Sequence, residues 1–217
     1  MKKYLFIAIG IFVSFGIFQF TLNRFANNNL SVGCHPSTFT GFVDPTETVA
    51  FWENRPVTPL AVLADTLDNK QKKVLGATTS DKWIEIDLGK QKLIAHQGDD
   101  IFLEALVSTG LFNRTPVGEY HIWYKIRATK MEGGNKAIHT YYYLPNVPYT
   151  MFFFNDFGIH GTYWHNNFGN PMSHGCVNAP TPVAEKLFYW ADPQLPEGQM
   201  AVIASPKDSG TRVVIHQ

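Results

Sequence analysis

The chain has 217 residues, 45% hydrophobic and 14% aromatic, which is enough apolar material for a sizeable core in one or two domains. Lys plus Arg and Asp plus Glu are both 18, so the formal net charge is zero. That balance leaves no clustered basic face, and nucleic acid is set aside as a partner.

Met1-Lys2-Lys3 is a short positive region, and Tyr4 through Phe20 is apolar apart from Ser14 and Gln19. As a helix the run spans roughly 25 Å, near the lower limit for crossing a bilayer. No small-x-small cleavage site follows in Thr21-Leu22-Asn23-Arg24-Phe25. Residues 1–20 therefore read as an uncleaved signal anchor, a transmembrane helix, in preference to a cleaved signal peptide. The lysines precede the span, which places the N-terminus in the cytoplasm and the rest outside. The expected location is the cell membrane, single-pass, or the cell wall if the signal is cleaved. Ser31-Val32-Gly33-Cys34 offers a lipidation site, but it has Ser where a lipoprotein signal has Leu. Asn27-Asn28-Asn29 also separates it from the apolar run.

Residues 21–79 read as an extracytoplasmic linker, with prolines at 36, 45, 56 and 59 and one possible short helix from Pro59 to Asp68. From 80 to 206 the texture is short strands with turn punctuation. Trp83-Ile84-Glu85-Ile86-Asp87-Leu88 alternates, Gly89-Lys90-Gln91 turns, and Lys92-Leu93-Ile94-Ala95 begins a return strand. Gly98-Asp99-Asp100 turns before Ile101 to Ser108, and Gly118 to Lys125 alternates again. These period-2 runs predict antiparallel strands. The one convincing helix is Thr181 to Ala191, with Pro182 in its first turn and Val183, Leu187 and Trp190 on one face. Met200 to Ala204 reads as the last strand, closed by Pro206, and residues 207–217 as a tail. The fold class is mainly β, a compact sandwich or barrel-like domain with one short helix.

The chemistry lies in Ile159-His160-Gly161-Thr162-Tyr163-Trp164-His165 and Ser173-His174-Gly175-Cys176-Val177-Asn178. A thiol attacks as thiolate, and a free cysteine near pKa ~8.5 needs a base or cation beside it. His160, His165 and His174 all lie within sixteen residues of Cys176. Gly175 lets another group approach the backbone closely, as an oxyanion-binding turn requires. Spacing alone points to Cys/His nucleophilic catalysis. Two other readings stand beside it. Cys176 is able to pair with Cys34 in an oxidising compartment, and His160, His165, His174 and Cys176 are all possible zinc ligands, although His-x₄-His and His-x-Cys fit the usual zinc spacings poorly. The free nucleophile is favoured over both. His35, His96, His121, His139 and His216 read as ordinary histidines. Tyr141-Tyr142-Tyr143, Tyr149 and Phe152-Phe153-Phe154 read as core before groove. Ser108 and Thr109 read as a turn rather than a nucleophile.

His160-Gly161 followed by Ser173-His174-Gly175-Cys176-Val177-Asn178 closely resembles the signature of the L,D-transpeptidase catalytic domain. So does the upstream texture: Ile84-Glu85-Ile86-Asp87-Leu88, Gln91, Val107-Ser108-Thr109-Gly110 and Thr115-Pro116-Val117-Gly118. The resemblance covers roughly residues 82–204. It implies an enzyme that cross-links or trims peptidoglycan through a cysteine thioester with a tetrapeptide stem, expelling D-alanine. The stem peptides are then the partners, and the sequence supports no cofactor. The resemblance also makes Cys176 the nucleophile and His160 its base, with the His160 ring oriented by a backbone carbonyl such as that of Gly161. The N–H groups of His174, Gly175 and Cys176 would form the oxyanion hole, with Ser173 and Asn178 shaping the turn. Tyr163 and Trp164 are expected as site walls.

Overall fold

The alternating run after Lys82 forms strand β4 (Lys82–Asp87), which turns through Gly89–Gln91 into β5 (Lys92–Gln97) and then β6 (Asp100–Leu106). Ile84 and Ile86 are fully buried while Trp83 and Glu85, before and between them, are partly exposed, as a half-buried strand demands. The structure, a computed structural model, describes residues 36–38, 41–60 and 81–217. These hold three upstream strands, β1 (Pro36–Thr38), β2 (Ala50–Trp52) and β3 (Arg55–Val57). After β6 come β7 (Gly118–His121), β8 (Tyr124–Gly133), β9 (Tyr142–Phe154), β10 (Phe157–Thr162) and β11 (Val177–Pro180). Helix α1 (Thr181–Trp190), β12 (Ala201–Ile203) and β13 (Arg212–His216) complete the chain.

The strands form two sheets, one ordered β6-β5-β4-β13-β7 and the other running β1-β8-β9-β10-β11, with β12 on β8 and the β2–β3 hairpin on β9. The expected single run from Gly118 to Lys125 is split between the sheets. β7 pairs with β13, Ile122 N–H donates to the Thr211 carbonyl, and Trp123 N–H already donates to Phe152 of the other sheet. Helix α1 sits where expected, Pro182 in its first turn, with Leu187 and Trp190 buried beside Ala184 and Phe188. Lys125 is fully buried; its Nζ donates to the carbonyls of Ala191 and Pro193 beyond the helix end, and burial lowers its pKa to about 7.

Three sequence expectations change. Residues 207–217 are not a tail, because β13 lies inside the smaller sheet, parallel to β4, with Val213 and Ile215 buried. Pairing is not antiparallel throughout, since β10 and β11 are also parallel. The 21–79 segment is not all linker: the β2–β3 hairpin packs on β9, and Ala50, Trp52 and Leu60 are buried. The remainder of the Pro59–Asp68 helix and the Tyr4–Phe20 span lie outside the described residues. Among the described residues no helix is long and apolar enough to cross a membrane.

Apolar packing falls on both faces of the larger sheet. Between the sheets, Ile84, Leu93 and Ile215 meet Tyr149, Met151, Phe153, Ile159 and Val177, with α1 closing the end. The opposite face of the larger sheet carries a second cluster: Tyr124, Ile126, Tyr142, Phe152, Trp52, Trp164 and Cys176. Successive residues of a strand alternate between these faces, which decides where the site forms.

Candidate active site

Ile159 and Val177 are register partners on the parallel β10–β11 pair, and both enter the inter-sheet core. Their neighbours Gly158, His160, Cys176 and Asn178 therefore share the other face, with His160 beside Asn178. Thus the proposed base and nucleophile, sixteen residues apart in sequence, come from β10 and from the bend that leads directly into its neighbour β11. Cys176 and His160 are both buried, at 0% and 1% exposure.

The turn carrying Cys176 is held from below by the upstream motif residues. Asn178 and Ser108 exchange backbone hydrogen bonds at 2.9 and 2.8 Å. The N–H groups of Met172 and Ser173 donate to the Thr109 carbonyl, and Leu111 N–H donates to that of Ser173. Thr115 Oγ1 accepts from Gly110 N–H and donates to the Gly175 carbonyl at 2.7 Å. The Gln91 amide donates to Thr109 Oγ1 and accepts from Thr109 N–H, which ties this platform to the β4–β5 turn. Ser108 and Thr109 are thus turn-building residues, Ser108 Oγ donating to the Asn167 carbonyl.

Gly175 adopts φ +147°, and a Cβ there would lie 2.3 Å from the Phe157 ring, so the position admits glycine alone. Ser173 Oγ accepts from Gly175 N–H at 3.0 Å and donates to the Cys176 carbonyl, which fixes the turn. This corrects the expected oxyanion hole: the Gly175 N–H is turned inward onto Ser173. Gly158 N–H points at Cys176 Sγ instead, at 3.4 Å. Cys176 is disulfide-bonded. The Cys34 pairing that the sequence also allowed falls outside the described residues. The sequence reading favoured a free thiol; the structure holds the oxidised form.

His160 Nδ1 lies 3.0 Å from the Gly161 carbonyl. A carbonyl only accepts, so Nδ1 carries the proton and Nε2 keeps its lone pair. Burial, chiefly, pushes the pKa of His160 down to about 4, with neighbouring His165 adding to the shift, so the ring is neutral at pH 7. Burial does the same to His165 and His174, both lowered to about 4, and the Arg114 charge adds to the effect at His174. Asn178's amide lies 2.9 Å from His165 Nε2. Trp164 stands 5.7 Å from His160, ring to ring. Tyr163 packs edge-on against Trp164 at 5.0 Å, its hydroxyl donating to the Pro145 carbonyl at 2.7 Å. Among the described residues no three His, Cys, Asp or Glu side chains are grouped to share a metal ion.

The L,D-transpeptidase catalytic domain model matches residues 81–215, which is most of the chain and all of this platform. The chain belongs to the L,D-transpeptidase catalytic domain family. An L,D-transpeptidase from Mycobacterium smegmatis shares the fold, with TM-score 0.51 and 16% identity over 63% of this chain and 58% of that one. An Enterococcus faecium L,D-transpeptidase is 26% identical with TM-score 0.48, the match covering 63% of this chain and 50% of that one. The isolated catalytic domain of E. faecium L,D-transpeptidase is also 26% identical, TM-score 0.47, over 64% of this chain and all of the other. The match thus spans half the length of that first Enterococcus chain. No curated protein matches it.

The family region ends short of one element of the site. Trp52, on the upstream hairpin, packs 5.8 Å from Trp164, 5.8 Å edge-on from His174 and 6.1 Å from Tyr142. Sequence reasoning missed it. The available signal was Ala50-Phe51-Trp52-Glu53-Asn54-Arg55-Pro56-Val57, two short apolar runs around an Asn-containing turn. Glu53 and Asn54 both have positive φ, as a two-residue hairpin of the tight type requires.

Proposed function

We propose that this protein is a peptidoglycan L,D-transpeptidase acting through Cys176, with water as a competing acceptor that would make it an L,D-carboxypeptidase. The observation that carries this is the pairing on one sheet face of a neutral imidazole, Nδ1 bonded to Gly161, with a cysteine whose sulfur receives the Gly158 N–H. In the reaction the Cys176 thiolate attacks the carbonyl of the third residue of a tetrapeptide stem. The C–N bond to D-alanine breaks, and His160 delivers the proton to the leaving amine. A diamino acid's free amine, or water, then takes the acyl group from sulfur, giving its proton back to His160. The developing oxyanion would be met by the Gly158 N–H, which already points at the sulfur, since the Gly175 N–H is bonded to Ser173.

The disulfide makes reduction the first step. A dithiol reductant gives two electrons, becomes a disulfide itself, and leaves two thiols on the protein. A thiolate beside His160 then favours the imidazolium, lifting its pKa from the depressed value of the oxidised form. We place the catalytic domain outside the cytoplasm, tethered through Tyr4–Phe20.

The test is incubation of the reduced full chain, in detergent, with defined tetrapeptide muropeptides, followed by mass spectrometry. Cross-linked dimers are expected; tripeptides would mark the hydrolase instead. Cys176→Ala should abolish both while keeping the melting transition. Near-wild-type turnover by that variant would overturn the mechanism.

A further inference from the structure

Of the seven buried side-chain nitrogens and oxygens without a hydrogen-bond partner among the described residues, four belong to one group of three rings: Trp52 Nε1, Trp164 Nε1, and both nitrogens of His174. The three residues are 8%, 9% and 8% exposed. Trp52 lies centrally, 5.8 Å from each of the other two rings. A native fold pairs its buried polar groups, so a concentration of orphans beside a catalytic turn marks where a ligand supplies the partner. An indole nitrogen only donates, and a neutral imidazole donates once and accepts once. His174 is neutral at pH 7, its pKa lowered to about 4 by burial and by the Arg114 charge, with the Thr140 carbonyl pulling weakly the other way. With the Thr140 carbonyl beside the His174 ring, the two indole N–H groups are the donors this wall leaves unmatched, which suits an acceptor-rich ligand.

The charge nearby has the right sign for an anion. Arg114 is close enough for its charge to act on His174. Among the described residues it forms no ion pair. The acid whose charge reaches Tyr163, Glu47, is already engaged, accepting from the Tyr143 hydroxyl at 2.9 and 3.0 Å. The hairpin that brings Trp52 in is firmly seated. Asn54 Nδ2 donates to the Lys136 carbonyl at 2.7 Å, and Asn54 N–H donates to that of Tyr141 at 3.0 Å. Asn146 and Asp44 exchange two hydrogen bonds of 2.8 Å.

We propose that Trp52, from a hairpin upstream of the family domain, joins Trp164 and His174 to form a donor subsite that takes a carboxylate of the stem peptide. The subsite selects the acyl donor and rests on the transpeptidase reading above. Stem peptides carry more than one carboxylate, and amidating them one at a time tells which is held. Trp52 is then a specificity residue in the binding wall, with no part in proton transfer.

The experiment measures calorimetric binding of the tetrapeptide to the full chain carrying Cys176→Ala, alone and with Trp52→Phe. The free-acid peptide and each singly amidated analogue are compared, with turnover by the reduced wild type in parallel. Trp52→Phe keeps an aromatic ring and removes the N–H. It should weaken the free-acid peptide about tenfold, the scale of one hydrogen bond to a charged group. One amidated analogue should bind the parent about tenfold more weakly and be indifferent to Trp52→Phe, as a coupled pair requires. Trp164→Phe should couple to the same carboxylate, and serves alone if Trp52→Phe lacks a cooperative melt. Equal losses for every analogue, or none, would overturn the subsite, since packing alone has no preference among carboxylates. Turnover by the wild type with no coupling sinks this inference and leaves the function standing. Binding with coupling but no turnover sinks the function and leaves the subsite. No binding and no turnover sinks both.

Discussion

At the scale of residues, the site is governed by burial. His160 sits at 1% exposure, and its Nδ1–H on Gly161 leaves Nε2 as the proton acceptor. After reduction with a dithiol, iodoacetamide should alkylate Cys176 at pH 7, and His160→Gln should slow that reaction about tenfold or more, because an amide takes no proton from the thiol. Equal rates in both proteins from pH 6 to 8 would remove His160 from the role. Without the reductant neither should react, since the sulfur is held in the disulfide. The same burial predicts a pH dependence. His160, His165 and His174 each titrate at about 4 when folded, against the ordinary value of 6.5. Between those values the unfolded chain binds protons that the folded chain refuses, so stability falls as pH drops through that window and levels off below it. His216 opposes this trend, its pKa raised chiefly by the Gln217 carbonyl and by Glu85. The melting temperature should fall from pH 7 to pH 4.5, and His165→Gln should flatten that slope by removing one of the three sites. A slope unaltered in the variant would mean that other groups carry the acid sensitivity.

Among elements, β13 has a larger part than its place in the sequence suggests. It lies between β4 and β7, pairing with both, and Ile215 is 1% exposed in the inter-sheet core. Ile215→Ala should cost about 2–5 kcal/mol by urea unfolding, the range for truncating a well-packed core aliphatic. A loss below about 1 kcal/mol would mean that the strand is dispensable. The β2–β3 hairpin is similar in kind: three residues per strand, a tight turn, and one large side chain committed to the site. Short strands of this sort carry little periodic signal, and a Pro beside Arg55 argues against a strand on local grounds. Pro56 is tolerated because β3 pairs on one side only, with β2.

For the molecule as a whole, the sheet pairings bring together residues from across the sequence. Gln91, Thr109, Thr115 and Ser173 form one hydrogen-bonded support under Cys176, and the upstream hairpin closes over it. The tether proposed at Tyr4–Phe20 gives a test at this scale. Protease added to intact spheroplasts should release a soluble fragment carrying Cys176. Its appearance only after lysis would reverse the proposed topology.

Much of this was legible from sequence. The Cys176 and His160 assignments rest on a compact motif, and the α1 boundaries rest on Pro182 and a 3.6-residue apolar period, both of which are local signals. Alternation announced β4 and β5 for the same reason. What only the tertiary structure decided is non-local. Val213 and Ile215 became core because β13 inserts beside β4, a strand more than a hundred residues earlier. The Gly118–Lys125 run broke in two because its halves pair with different sheets. Gly175 N–H turned onto Ser173 because that hydroxyl sits beneath the same tight turn. Trp52 reached His174 through a hairpin docked on β9, and Cys176 entered a disulfide. Local propensity fixes which residues alternate and where a helix begins. Which strand lies beside which depends on burying two apolar faces at once, and no window of sequence contains that sum.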